Sequence, residues 1–261
     1  MTTLSATSAR PRWRGWRVVR ILLAVLFFFL VWEAYGRAGR ALAVPPFTEV
    51  WSELSTLMAS GDLVSPTLGT TAVALAGFLI AAVLGSILGL LIGLFPVFRE
   101  VIGPWVSGAY ATPMTMFIPI IGMYFGLGIG SQVFLVVTFC IFSVLMNTAE
   151  GVQAVPAQYY DLARSIGISK VRRVLRIIVP FALPYLFVGL RISVASAFAG
   201  AITAELLLAT DDLGLMMMMA SGNFQFVKLA ALTFYVAVLG FVAVGLVYAL
   251  EKLVSRRLHA A

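Results

Sequence analysis

Few residues in this 261-residue chain are equipped for chemistry. There is one cysteine, Cys140, and one histidine, His259, which excludes a disulfide framework and a Cys/His metal site. No Gly-Lys pair occurs, so the phosphate-cradling loop of a P-loop nucleotide hydrolase is missing. No nucleophile, base and metal set is present, which argues against an enzyme. Two polar features remain. Arg191 and Glu205 interrupt an otherwise uncharged run over 183–207. At a helical rise of about 1.5 Å per residue they lie about 21 Å apart, too far to pair along one helix, so each must face protein, water or the headgroups. The other feature is the stretch 150–180, where acid, small residues, glycine and proline alternate with apolar positions. A loop that long is usually functional, and an amphipathic unit there either lies on lipid or docks into a partner's groove.

The elements that hold these residues follow from where charge is absent. Hydrophobic residues make up 61% of the chain and charged residues 11%, against about 25% charged in a soluble domain. A water-facing globule and a disordered chain are both excluded. Between Asp62 and Arg99 lie 36 uncharged residues, between Glu100 and Glu150 lie 49, and between Lys228 and Glu251 lie 22. A span needs about 20 residues. The pattern predicts helices over 18–36, 67–95, 104–125, 132–148, 183–207 and 229–250, with the longest run broken at Gly126-Leu127-Gly128-Ile129-Gly130-Ser131. The runs are continuously apolar, where barrel strands would alternate. The expected fold is an all-α membrane protein with six transmembrane helices.

Orientation follows from Lys and Arg. With six spans both termini share a side. If that side is the cytoplasm, fourteen of the eighteen basic residues are inside, in the tail from Arg10 to Arg20, at Arg99, over Arg164–Arg176 and after Lys252. Three (Arg37, Arg40 and Lys228) are outside, and Arg191 is in a span. This asymmetry places both termini in the cytoplasm and accounts for the net charge of +7 without nucleic acid. The Ala41-Leu42-Ala43 triplet resembles a signal-peptide cleavage site, but Glu33, Arg37 and Arg40 separate it from a long apolar stretch, so the first helix is kept. The organisation is a basic cytoplasmic tail (1–17), a first span (18–36), an external segment (37–66), a permeation domain (67–250) carrying the cytoplasmic loop 150–180, and a cytoplasmic tail (251–261).

Two spans carry small residues four apart: Gly77, Ala81, Gly85, Gly89 and Gly93 in the second, and Gly189, Ser193, Ala197, Gly200 and Ala204 in the fifth. Such faces allow close helix approach. Pro104, Pro113 and Pro119, with Thr112 and Thr115, predict a kinked third helix. A kink inside the bilayer is tolerated beside protein or a water-filled cavity. Thr112, Pro113, Met114, Ser193, Ser196 and Glu205 are therefore candidates for lining a route. Met216–Met219 reads as a flexible apolar lining or interfacial helix.

The cytoplasmic loop predicts two short helices. The first, over 159–166, stops at Gly167. The second starts after Ser169 as N-cap, runs over 170–178 and ends ahead of Pro180. Val171, Val174, Leu175 and Ile178 share one face, and Arg172, Arg173 and Arg176 the others. Here the sequence resembles binding-protein-dependent ABC importer permeases. Asp161-Leu162-Ala163-Arg164-Ser165-Ile166-Gly167, nine residues, then Ile177-Ile178-Val179-Pro180 resembles their E-A-A loop at matching spacing. Asp161 replaces Glu, Leu162 the first Ala, and Val179 a Leu. Val44-Pro45-Pro46-Phe47 with Trp51, Tyr124–Gly128, Leu183-Pro184-Tyr185, Gly189-Leu190-Arg191 and Ala204-Glu205 resemble the nitrate/sulfonate/bicarbonate (taurine-type) branch. Relatives often carry an Arg early in the second span, where this chain reads Thr70-Thr71-Ala72-Val73-Ala74.

The resemblance implies a type I ABC importer permease fold and a homodimer with two ABC ATPase subunits and an external solute-binding protein in a bacterial plasma membrane. It implies no cofactor on this chain, with ATP-Mg held by the ATPase. It implies that Tyr160, Asp161, Ala163, Arg164, Ser165, Gly167, Ile177 and Pro180 form the ATPase-coupling site: Asp161 meets a cationic or amide group, Ala163 and Gly167 allow close approach, and Arg164 anchors the loop or meets an acidic partner residue. The expected cargo is a small anionic or organic-acid solute. The competing reading is an ATP-independent secondary transporter, which would need an internal repeat and paired ionisable residues at the midplane.

Overall fold

The computed structural model describes residues 13–39, 44–208 and 212–259. The tail 1–12, Arg40 and the Ala41-Leu42-Ala43 triplet lie outside the described residues. Among the described residues all regular structure is helical. The helices are α1 (Trp13–Arg37), α2 (Phe47–Ser60), α3 (Val64–Leu94), α4 (Pro96–Ala111), α5 (Ile118–Phe125), α6 (Ile129–Gln153), α7 (Ala157–Ser165), α8 (Lys170–Arg173), α9 (Val179–Leu208), α10 (Leu213–Gly222) and α11 (Phe226–His259).

Five helical stretches are long and apolar enough to cross a bilayer: Val19–Arg37, Val64–Leu94, Ile129–Gln153, Lys170–Leu208 and Phe226–Ser255. The sixth predicted span is different. Instead of one kinked helix, α4 and a short turn with α5 meet at 85°. The cause is local. Thr112 is extended, Pro113 cannot donate a backbone hydrogen bond, and Met114–Phe117 tightens into a 3₁₀ turn before α5 starts. Pro104 lies inside α4 without breaking it, and Pro119 sits in the first turn of α5, where a proline is tolerated.

A second correction concerns the cytoplasmic loop. The stretch after Ser169 does not end ahead of Pro180. It passes from α8 through a π-helical turn at Val174–Ile178 directly into α9. The wider turn gives the Pro180 ring room against the carbonyls one turn back, so the proline does not end the helix. A third difference is α2, a helix inside the segment read as an external connector.

α6 is the central helix, packed along its length against α3 and α9. Both small-residue faces point at it. A Cβ on Gly85 would meet the Ile141 carbonyl at 3.0 Å, and one on Gly89 the Leu145 carbonyl at 2.5 Å. From the other side, a Cβ on Gly189 would meet the Ser143 carbonyl at 2.9 Å. Ser193 Oγ–H donates to the Cys140 carbonyl at 2.8 Å, and the Cys140 thiol donates back to the Ser193 carbonyl at 3.2 Å. Val73, Phe78, Ala81, Val136, Cys140, Val194 and Phe198 are buried together between the three helices. Lipid tails are as apolar as these side chains, so close packing and interhelical hydrogen bonds hold the bundle rather than water exclusion.

The two intramembrane charges are handled separately. Arg191 Nε faces Glu251 Oε2 of α11 at 3.6 Å, with its guanidinium 5.8 Å from the centre of the Tyr248 ring. Glu205 is fully buried among α3, α9 and α10. Near the C-terminal end of α1, Glu33 accepts hydrogen bonds from the Thr48 backbone N–H at 3.0 Å and Thr48 Oγ1 at 2.9 Å, which ties α1 to the start of α2.

Candidate functional site

The candidate site in the loop between α6 and α9 is built on α7. Pro156, in an extended conformation, precedes its first turn, and Gly167 ends it with φ of 66°. The end is a Schellman motif. The Ile168 N–H donates to the Ala163 carbonyl at 3.0 Å and the Gly167 N–H to the Arg164 carbonyl at 3.1 Å, which satisfies carbonyls the helix would leave bare. Glycine is required there because a side chain is strained in the left-handed region.

One side of α7 lies on the body of the protein. Ala163 is buried, the Tyr159 ring packs on Phe181 with centroids 5.0 Å apart, and the Tyr160 ring lies 5.5 Å from the Arg173 guanidinium carbon. Tyr159 and Tyr160 also border the apolar cluster of Val152, Val155, Ile178 and Ala182, to which Ile177 contributes. The other side is free. Asp161, Leu162, Arg164, Ser165 and Ile166 are exposed, and the Ser165 hydroxyl turns back onto the Asp161 carbonyl at 2.7 Å. Pro180 is half-buried at the start of α9. The geometry thus divides the predicted residues: Tyr160, Ala163 and Ile177 lie on the side packed against the body, while Asp161, Arg164 and Ser165 are presented. Leu162 and Ile166 join the presented face; their apolar character at an exposed, polar end of the protein is the signal that marks them. Tyr159 and Arg173 were not singled out, although tyrosine beside a basic helix was visible in the sequence.

The arrangement does no covalent chemistry. α7 is a short amphipathic helix with a mixed acidic and apolar exposed face, and α8, which follows it after Gly167, is continuous through the π turn with a membrane span. α7 meets α9 through the Tyr159–Phe181 contact, and α8 runs into it directly.

The candidate route residues are not gathered in one place. Thr112, Pro113 and Met114 lie at the α4–α5 elbow, beside a concavity of about 540 Å³ lined also by Trp105, Gly108 and Phe117. Ser196 is partly exposed and donates to the Ile192 carbonyl at 3.1 Å. Ser193 and Glu205 are enclosed and hydrogen-bonded within the chain, so neither faces an open route in this conformation.

A multi-pass helical body with a short, half-exposed helix between two of its spans is the architecture of a membrane-embedded protein. The chain belongs to the family of binding-protein-dependent transport system inner membrane components, whose model matches residues 81–256. Its relatives include the bicarbonate transport system permease protein CmpB of Synechococcus elongatus, 28% identical over 218 residues, covering 78% of each chain. The putative aliphatic sulfonates transport permease protein SsuC of Bacillus subtilis is 28% identical over 240 residues, covering 91% of this chain and 86% of that one. The nitrate import permease protein NrtB of Synechococcus elongatus is 30% identical over 182 residues, covering 69% and 65%. In shape, the chain resembles the crystal structure of an amino acid ABC transporter with histidines, with a TM-score of 0.60 at 18% identity, covering 78% of this chain and 97% of that one. This chain is therefore an ABC importer permease subunit of the nitrate/sulfonate/bicarbonate branch, with the multi-pass helical fold of that family. Such permeases work with an ATPase and a substrate-binding protein.

Proposed function

We propose that two copies of this chain form the translocation unit for a small anionic or organic-acid solute, with two ATPase subunits at the cytoplasmic face and a solute-binding protein outside. Bicarbonate, nitrate and sulfonate in the names of its relatives support an anionic cargo. The chain itself binds no nucleotide; ATP-Mg is bound and hydrolysed in the partner. It lies in the plasma membrane with both termini cytoplasmic, which the Lys and Arg distribution supports.

The observation that carries the coupling role is the exposed face of α7, which ends in the Gly167 Schellman motif and packs on α9 through Tyr159 and Phe181, with α8 running directly into α9. Asp161 meets a cationic or amide group in a cleft of the ATPase, Leu162 and Ile166 fill apolar parts of that cleft, and Arg164 and Ser165 border it. Tyr160, Ala163, Ile177 and Pro180 pass the motion to the spans. Thr112, Pro113, Met114 and Ser196 line the route, and Ser193 and Glu205 reach it only if the packing around them opens.

The test is copurification from membranes. The ATPase should come down with the wild-type chain and be lost with Asp161→Lys, while insertion is unchanged. Retention of the ATPase by that variant, with normal uptake, would remove α7 from the mechanism.

A further inference from the structure

Three outer helix ends meet at one carboxylate. Glu205 Oε2 accepts the Thr70 Oγ–H at 2.9 Å and the Gly214 backbone N–H at 2.9 Å. Thr70 Oγ1 in turn accepts the Leu213 N–H at 3.3 Å. The first two backbone donors of α10 are thus satisfied by side chains of α3 and α9. Asp212, which precedes α10, makes no side-chain capping bond of its own. Without these partners the buried N-terminus of α10 would hold bare donors. Gly214 lets the contact form: a Cβ there would collide with Glu205 Cβ and lie 3.1 Å from Oε2.

Stability alone does not explain this choice of residue. Glu205 Oε1 is buried with no hydrogen-bond partner among the described residues. A half-satisfied buried carboxylate is a poor way to gain stability, since a well-packed apolar residue would do as well or better. It is effective at fixing geometry, because it bonds to two different elements at once. The chain uses the same device at Glu33, which accepts the second backbone donor of α2, the other outer helix. Around Glu205 the packing is tight, with Thr70, Ala204, Glu205 and Leu213 essentially inaccessible. The elbow between α4 and α5 is the opposite: no residue of α4 is buried.

We infer that Glu205 is a positioning residue for transport: it fastens the N-terminus of α10 to α3 and α9, so that the outer ends of these three helices move as one rigid body while access changes elsewhere. The transport half of the inference rests on the chain's role in an ATP-driven importer; the structural half does not.

Two measurements on the reconstituted complex separate these halves. The first is labelling of Leu213→Cys by a membrane-impermeant maleimide from outside, against a low background because the native Cys140 is buried. The introduced thiol should react slowly, at rates within about twofold of one another without nucleotide, with ATP and in a vanadate-trapped complex. Adding Glu205→Ala should raise the rate about tenfold or more, and Glu205→Gln, which keeps an oxygen in place of Oε2, should preserve protection. The second is solute taken up per ATP hydrolysed, which should fall about tenfold in Glu205→Ala and stay near wild type in Glu205→Gln. If Glu205→Ala fails to insert, Thr70→Val replaces it and should give an intermediate rise in labelling. Fast labelling in one nucleotide state of the parent would overturn the rigid body. Slow labelling in both loss variants would overturn the fastening. Faster labelling with unchanged coupling would overturn the role in transport. Absence of ATP-driven uptake in the wild-type complex would instead refute the importer reading, leaving the labelling comparison standing.

Discussion

At the residue scale the cytoplasmic site turns on two positions that do different things. Gly167 holds a φ of 66° with nothing within 4 Å of where a Cβ would stand. The obstacle to a side chain is therefore backbone strain alone, about 1–2 kcal/mol. Gly167→Val should unwind the last turn of α7, lower copurification of the ATPase and leave membrane insertion intact, as an immunoblot of both fractions would check. The Asp161 side chain is exposed, so replacing it leaves the packing of the fold in place. Asp161→Lys should abolish uptake with no change in the melting temperature of the detergent-solubilised chain. Both positions were legible in the sequence, because a helix stop and an acid at fixed spacing are local features. Thr70 was not. Its place in the second span reads as an unremarkable hydroxyl, and its partner Glu205 is 135 residues away. The same holds for Arg191: the sequence shows that a charge at that depth needs company, but only the packing of α9 on α11 selects Glu251.

At the scale of elements, the small-residue face of α3 is a packing surface against α6. On this face Gly89 is the position whose nearest neighbour is backbone, the Leu145 carbonyl at 2.5 Å, which cannot rotate away. Gly89→Ala should destabilise the bundle by about 1–3 kcal/mol through overpacking. Gly103→Ala, in α4 with nothing within 4 Å, should be neutral or slightly stabilising. Thermal unfolding in detergent would separate the two. Helical periodicity shows which face of α3 is small but not which helix lies on it, so the identity of α6 was not readable. The bend at Pro113 was half readable. A proline and two threonines predict a kink, whereas the angle of 85° depends on Thr112 adopting an extended backbone and on the tight turn after it. Pro180 misled in the other direction: taken as a stop, it is accommodated by one π-helical turn.

At the scale of the whole molecule, the elbow is the part a single copy leaves uncovered. Irregular backbone inside a bilayer is tolerated only against protein or a water-filled cavity, and Trp105, Met116, Met123 and Tyr124 around it are highly exposed. If a second copy covers this face, Met116→Cys should form an intermolecular disulfide in membranes under mild oxidation, while Phe241→Cys, equally open on α11, should stay monomeric. Cross-linking at α11 alone would place the pairing face elsewhere. By itself the sequence determined that the chain is membrane-embedded and helical, where most of its spans lie, and that a short helix ending at Gly167 sits between two of them. Each of these depends on composition or on residues close in the chain: a bilayer excludes charge wherever it occurs, and a helix places residues four apart on one side. Only the tertiary structure decided that α6 is the centre, that the third span is an elbow, and that Glu205 is buried against Thr70 of α3 and the first turn of α10. Those outcomes depend on which distant segments touch, and a buried charge constrains its neighbours only by requiring that some partner be within hydrogen-bond reach.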